Sequence, residues 1–192
     1  DELFRIAAAG GIVLTANKRL ARQLVRLYDR QQMAAGLMVW PSPQIMSLSA
    51  WVTRQLQLLR CDDALLSDAQ LHRTWEQVIA ADVATSNRDL LQLPQAARRA
   101  GEAHLLLESY LTDFTALDGD EDQAAFLRWR ATWREQAGRE GWLDRGGALR
   151  LVAAALSDGT LAAPERLILA GFDDVSPALD AVRRALDLKG GA

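Results

Sequence analysis

Arg166-Leu167-Ile168-Leu169-Ala170-Gly171-Phe172-Asp173-Asp174-Val175-Ser176-Pro177 is the stretch on which the fold turns. Leu167 to Ala170 form a short apolar run of the kind that a strand buried on both faces presents. Ser176-Pro177 then supplies an N-cap and a proline at the first helical position, ahead of the apolar-periodic Leu179, Val182 and Leu186. The order strand, acidic turn, helix puts Asp173 and Asp174 at the carboxyl end of a strand, where open parallel α/β sheets bind ligands. Which acids stand in that turn, and which do not, decides whether chemistry happens there.

Working outward, Gly10-Gly11 leads into Ile12-Val13-Leu14-Thr15, a second short strand, and Ala16-Asn17 turn it into a helix with apolar Leu20, Ala21, Leu24, Leu27 and Tyr28. The opposite face of that helix carries Lys18, Arg22, Arg26 and Arg30 at a strict spacing of four. Such a stripe on a helix that starts at a strand end suits a phosphate backbone, although spacing alone favours an ordinary solvated face. After the helix-breaking Trp40-Pro41-Ser42-Pro43, the segment Gln44-Ile45-Met46-Ser47 reads as a third strand entering a helix with Leu48, Trp51, Val52, Leu56 and Leu59. Ser47 and Ser49 sit at that junction as phosphate contacts or as caps.

From about Asp62 to Gly138 strand signals vanish and helix signals repeat. Ser67-x-x-Gln70 is a capping box ahead of Leu71, Trp75, Val78 and Ile79. Pro94 opens a helix whose expected buried face is Ala96, Ala100, Ala103, Leu107, Leu111 and Phe114. Asp120-x-x-Gln123 precedes another with Phe126, Trp129, Trp133 and Ala137 on one side and Gly138 and Gly141 at its end. The carboxylates Asp118, Asp120, Glu121 and Asp122 crowd a helix start, where the dipole favours them, and read as a cap. Trp75, Trp129, Trp133 and Trp142 at helical spacing read as core. His72 and His104 have no cysteine or carboxylate cluster at ligand spacing, so no metal site is expected. Leu143-Asp144 caps a further helix through Leu149, Val152 and Leu156, and Pro164 precedes the strand of the opening stretch. Strands alternating with helices, with a helical block spliced in, make the expected class α/β with a parallel sheet.

Composition bounds what this fold is used for. The 192 residues are 49% hydrophobic, ample for a core, and 22 basic against 25 acidic residues give a net charge of −3. That overall charge is not that of an obligate nucleic-acid binder, so any such contact must be local. All basic residues but Lys18 and Lys189 are arginines, a bias consistent with a GC-rich genome. Cys61 is the lone cysteine, which excludes an intramolecular disulfide and reads as a small apolar filler in a protein of the cytoplasm. No apolar run approaches membrane-span length, and the N-terminal residues make a poor signal peptide. The chain starts without Met and stops at Lys189-Gly-Gly-Ala, as a piece of a longer protein would.

Three segments in this order resemble the first RecA-like domain of superfamily I DNA helicases of the UvrD/RecB type. Val13-Leu14-Thr15-Ala16-Asn17-Lys18-Arg19-Leu20-Ala21 is similar to motif Ia, a strand followed by T-x-T-N-K-A-A that contacts single-stranded DNA in that family. Met46-Ser47-Leu48-Ser49-Ala50-Trp51 is similar to the T-F-H-S-L segment that follows, and Ile168 to Asp174 is similar to the motif II strand with D-E-F-Q-D. The likeness is greatest to the inactivated helicase-like half of AddB-type helicase-nucleases and related DNA-repair proteins. It implies a RecA-like, P-loop NTPase-type core over residues 1–60 and 141–192, with residues 61–140 as a 1B-like helical insertion.

The departures from the family carry the functional expectation. The metal-holding Asp-Glu pair of motif II falls on Ala170 and Gly171, and the motif is degenerate over Ala170, Gly171, Phe172, Asp173 and Asp174. G-x-x-x-x-G-K-[ST] occurs nowhere: Ala7 to Gly11 has glycines with no Lys-Ser/Thr behind them. Asp173 and Asp174 read as helix-start acids. The resemblance therefore implies a catalytically inactive, cofactor-free scaffold in a recombination or double-strand-break repair machine, not an enzyme itself. It further implies a C-terminal nuclease domain of PD-(D/E)XK type outside these residues, and DNA, single-stranded, as partner. Thr15, Asn17, Lys18, Arg22 and Ser47 are the expected DNA contacts, with no catalytic or metal residues. Two rival readings are an interaction module that docks an ATPase or nuclease subunit, and an active DNA-dependent ATPase with an atypical site.

Overall fold

A computed structural model describes residues 2–86, 92–112 and 120–190. Phe114 and Asp118, named above, lie outside the described residues. The chain separates into two compact units, Asp1–Arg60 with Leu151–Val175 and Asp180–Ala192, and Cys61–Arg150 with Ser176–Leu179.

The first unit is built on a parallel three-stranded sheet. After helix α1 (Glu2–Ala8) come β1 (Ile12–Thr15), α2 (Lys18–Ala34), β2 (Ile45–Ser47) and α3 (Leu48–Leu58). Much later in the chain β5 (Leu167–Ala170) completes the sheet in the order β2-β1-β5. The ladder is in register from Val13↔Ile45 to Thr15↔Ser47 on one side and from Ile12↔Leu167 to Thr15↔Ala170 on the other. Val13, with Ile45 and Ile168 on either side of it, packs with Ala7, Leu3, Phe4, Leu24 and Val25. Phe4 and Tyr28 meet edge to face at 5.8 Å, so α1 and α2 share one core.

This sheet corrects two expectations. The strand buried on both faces is β1, the central one, whose Val13, Leu14 and Thr15 are each 0% exposed, while β5, at one edge of the sheet, is half-buried throughout. An apolar tetrapeptide reads the same in either place. Helix α1 was not anticipated, because seven residues, ELFRIAA, are too few to show a 3.6-residue period.

The second unit is helical, with α4 (Asp68–Ser86), α5 (Leu93–Tyr110) and α6 (Glu121–Glu140) packed on one another. The capping box at Ser67 forms as read: Gln70 Oε1 accepts the Ser67 N–H at 2.9 Å and Ser67 Oγ accepts the Gln70 N–H at 3.4 Å. Asp120 accepts the Gln123 N–H at 2.9 Å, and the helix ends on left-handed Gly141 and not at Gly138, which lies inside it. The tryptophans are core, with Trp75 and Trp133 stacked at 5.8 Å and 1° between planes. Two two-residue strands that no periodicity could announce, β3 (Ala64–Leu65) and β4 (Trp142–Leu143), pair in parallel and clasp the entry and exit of the block. Helix α7 (Arg145–Asp158) follows, its first turn capped by Asp144, which accepts the Gly147 N–H at 2.8 Å. Helix α8 (Pro177–Gly190) follows β5. Among the described residues no helix is long and apolar enough to cross a membrane.

The buried face of α5 is Ala97, Ala100, Gly101, His104 and Glu108; Ala100 is as expected and Ala96 packs beside it, but Gly101, His104 and Glu108 take the place of the expected leucines. Leu111 is 48% exposed and ends the helix in a left-handed conformation. Polar partners turn the helix: Glu108 takes Arg130 at 2.9 Å and also bonds Arg150, and His104 Nε2 lies 3.0 Å from Asp144 Oδ2. Burial pushes the Asp144 carboxyl up, but the bond to His104, the Gly147 N–H and the charges of His104 and Arg150 outweigh it and hold the carboxyl below its ordinary 3.8. A depressed folded-state value means that this stabilisation is present above pH 3.8 and is lost as the pH falls through the folded value. Glu108 is the keystone, because its buried carboxylate takes two guanidinium groups, those of Arg130 and Arg150. Glu108→Ala is expected to lower the unfolding free energy by about 3–5 kcal/mol in urea denaturation at neutral pH. A loss below about 1 kcal/mol would show that the pair is solvated.

Candidate nucleic-acid interface

Parallel pairing brings three sequence segments to one edge of the sheet. Ser47, Thr15 and Ala170 are register partners at the carboxyl ends of β2, β1 and β5. Helices α2 and α3 both begin there, so the N-terminal N–H groups of two helices face the same edge of the first unit.

The five residues expected to touch DNA divide by burial. Thr15 is 0% exposed, and its hydroxyl donates to the Asn17 carbonyl at 2.8 Å, with the Met46 carbonyl at 3.4 Å. Ser47 is 3% exposed, and its Oγ accepts the Ala50 N–H at 3.3 Å and lies 3.1 Å from Ser49 Oγ. Both are turn-builders: Thr15 ties the β1 exit to β2, and Ser47 caps α3. Both hydroxyls are taken up by turns of the fold, and Asn17, Lys18 and Arg22 are the exposed members of the set. Asn17 is exposed and caps α2, its Oδ1 accepting the Leu20 N–H at 2.9 Å. Lys18 and Arg22 are exposed.

Arg26 and Arg30 continue the same exposed line along α2. Among the described residues no carboxylate pairs with any of these four cations. The helix carries five basic residues against one acid, Asp29, whose Oδ1 accepts the Trp40 indole N–H at 2.9 Å. In a chain of net charge −3 this exposed helix face is locally positive. Lys18 to Arg30 span about 18 Å at 1.5 Å per residue, the length that about five phosphates of one DNA strand cover. Leu27, expected on the apolar side, is 40% exposed, so the buried stripe of α2 is narrow.

The turn after β5 packs against the start of α2. Gly171 has φ +71, and a Cβ there would stand 2.4 Å from Leu20 Cδ2 of α2. The Ala170 carbonyl accepts the Ala16 N–H at 3.2 Å, which binds this turn to the β1–α2 turn. Asp173 and Asp174 are exposed beyond it, and the bond that caps α8 comes from Ser176 Oγ, which accepts the Leu179 N–H at 3.4 Å. Gly10 and Gly11 stand before β1, at the opposite end of the strand from the turn into α2. Among the described residues no three His, Cys, Asp or Glu side chains converge as a metal site would require.

The helical unit has its own polar concavity of about 160 Å³, lined by His104, Glu108, Asp144 and Arg150 among others. Every acid in it is matched by a base within the unit, which makes it a buried ion-pair network. A wider hollow of about 550 Å³ between α5 and α6 has Ala96, Ala103, Phe126 and Trp129 in its lining, with Arg99 and Asp122 among its polar groups.

No protein-family model matches the chain, and no curated protein matches it. The reading of this surface therefore rests on its own geometry. Gly171→Glu, which would place an acid in the strand-end turn, is expected to destabilise the chain by about 1–3 kcal/mol through the left-handed backbone, with Leu20 displaced as well. Urea unfolding of the variant measures this, and an unchanged midpoint would show that the turn accepts a side chain freely.

Proposed function

We propose that this chain is a catalytically inactive, RecA-like helicase domain that holds single-stranded DNA on the exposed face of α2, as a scaffold within a larger repair or recombination protein. The observation that carries this reading is the unpaired line Lys18, Arg22, Arg26 and Arg30, which begins at the carboxyl edge of a parallel sheet. Cations left without carboxylates in a net-acidic protein gain little for the fold and much for a polyanion, because each phosphate neutralised releases a condensed counterion.

The loss of ATP chemistry is supported by the strand end. Phosphoryl transfer needs a cradle of backbone N–H groups with a lysine behind it, and a carboxylate to hold Mg²⁺. The sequence offers neither: no glycine-rich loop ends in Lys-Ser/Thr, and the motif II acid positions are Ala170 and Gly171. Leu20, from the DNA-facing helix, occupies the space above Gly171. What is left of the helicase plan is its phosphate-facing helix, with Thr15 and Ser47 as the rigid frame that aims it.

Fluorescence anisotropy with a labelled single-stranded oligonucleotide tests this. Lys18→Ala, Arg22→Ala and Arg26→Ala are each expected to weaken binding by about three- to tenfold, alike for all sequences, because they remove one phosphate contact apiece. Their unfolding midpoints should stay at the wild-type value, since all three side chains are exposed. Unchanged affinity in all three variants would remove the stripe as the contact surface. Oligonucleotide-stimulated ATP turnover abolished by Asp173→Ala would favour an active ATPase. Absence of any nucleic-acid binding at low salt, with capture of an ATPase or nuclease subunit, would favour an interaction module.

A further inference from the structure

The basic helix does not end in a polar loop. Met33 is 57% exposed, Leu37 47%, Met38 95% and Val39 87%, the most exposed apolar stretch among the described residues. Leaving such side chains in water forgoes about 1.5–3 kcal/mol each, so a contiguous group of them marks a surface with a partner.

The segment is held firmly at both flanks. Gly36, at φ +80, closes α2 with its N–H on the Met33 carbonyl at 3.0 Å and the Leu37 N–H on the Gln32 carbonyl at 3.2 Å, the two bonds of a Schellman motif. On the far side the Trp40 indole donates to Asp29, which ties the loop back to the last turns of α2. Pro41 and Pro43 fix the backbone beyond. The result is an apolar knuckle on a stiff base, just past the C-terminal end of the helix that carries Arg26 and Arg30, while Asp29, the acid between them in sequence, is engaged by Trp40.

Charge complementarity selects the occupant. A polyanion lying along the stripe is led by Arg30 to the knuckle, and the apolar groups it could offer there are its bases. Aliphatic Leu, Met and Val are poor stacking platforms but are the residue types that wedge between base steps and unstack them. We propose that Leu37, Met38 and Val39 form a wedge that enters DNA where single strand meets duplex, with Arg26 and Arg30 on the phosphates of the strand that leaves. The proposal rests on the DNA-binding reading above and adds to it a preference for a junction.

The 192-residue chain and a Met38→Ser/Val39→Ser double variant are compared on three probes at about 50 mM salt, where phosphate contacts are strong. These are a labelled single strand, a forked duplex carrying 2-aminopurine at the junction, and phosphatidylserine vesicles. Wild type is expected to bind the fork about tenfold more tightly than the single strand and to raise the 2-aminopurine fluorescence as the junction base unstacks. The double variant should lose both effects, keep single-strand affinity within about twofold, and keep the wild-type unfolding midpoint, because the two side chains touch little of the protein. Wild type that binds single strand without a fork preference or a fluorescence rise overturns the wedge and leaves the DNA reading standing, as does a double variant that behaves like wild type. Wild type that binds no DNA overturns both. Vesicle binding that falls in the double variant, with DNA binding untouched, reassigns the knuckle to an anionic membrane surface and overturns the wedge.

Discussion

Pairing of Ile12–Thr15 between two parallel neighbours is the constraint on which the rest of the first unit depends. A parallel strand hydrogen-bonded on both edges is stable only when both of its faces are covered as well, and Val13, Leu14 and Thr15 have no exposed surface. That requirement draws in α1 and α2 on the Val13 side and fixes where α2 starts. Thr15 adds the last restraint: its hydroxyl bonds the Asn17 carbonyl, and Asn17 in turn caps α2. The direction in which the basic helix leaves the sheet is therefore set by a buried hydroxyl and an exposed amide. Lys18 and the three arginines inherit their positions from it.

The same tight turn accounts for what the strand end cannot do. Leu20, carried one turn into α2, lies over Gly171, and the Ala16 N–H is committed to the Ala170 carbonyl. An acidic side chain at position 171 would need both a left-handed backbone and the room that Leu20 fills. The start of the basic helix and the packing of Leu20 over Gly171 are two results of one arrangement.

Local signals were legible and long-range ones were not. The caps at Ser67, Asp120, Asp144 and Ser176 were readable because donor and acceptor lie three residues apart. The helices α2 to α8 and the strands β1, β2 and β5 followed from apolar period and from glycine and proline punctuation. Which strand was central could not be read, since LILA and IVLT carry the same pattern and only pairing distinguishes them. The polar part of the α5 face was hidden for a related reason. Glu108 and His104 are inward because Arg130 and Asp144, 22 and 40 residues away in sequence, meet them there. In the site, the stripe was visible as a spacing of four. The burial of Thr15 and Ser47 was not, because a strand-end hydroxyl serves a backbone turn or a ligand with the same sequence.

The most direct test of the central claim is the salt dependence of single-strand binding by the unmodified chain. If Lys18, Arg22, Arg26 and Arg30 each neutralise a phosphate, the logarithm of the binding constant falls against the logarithm of salt concentration with a slope of about −3, from about 0.7 per contact on a single strand. A slope near zero, or no measurable binding at low salt, would contradict the account.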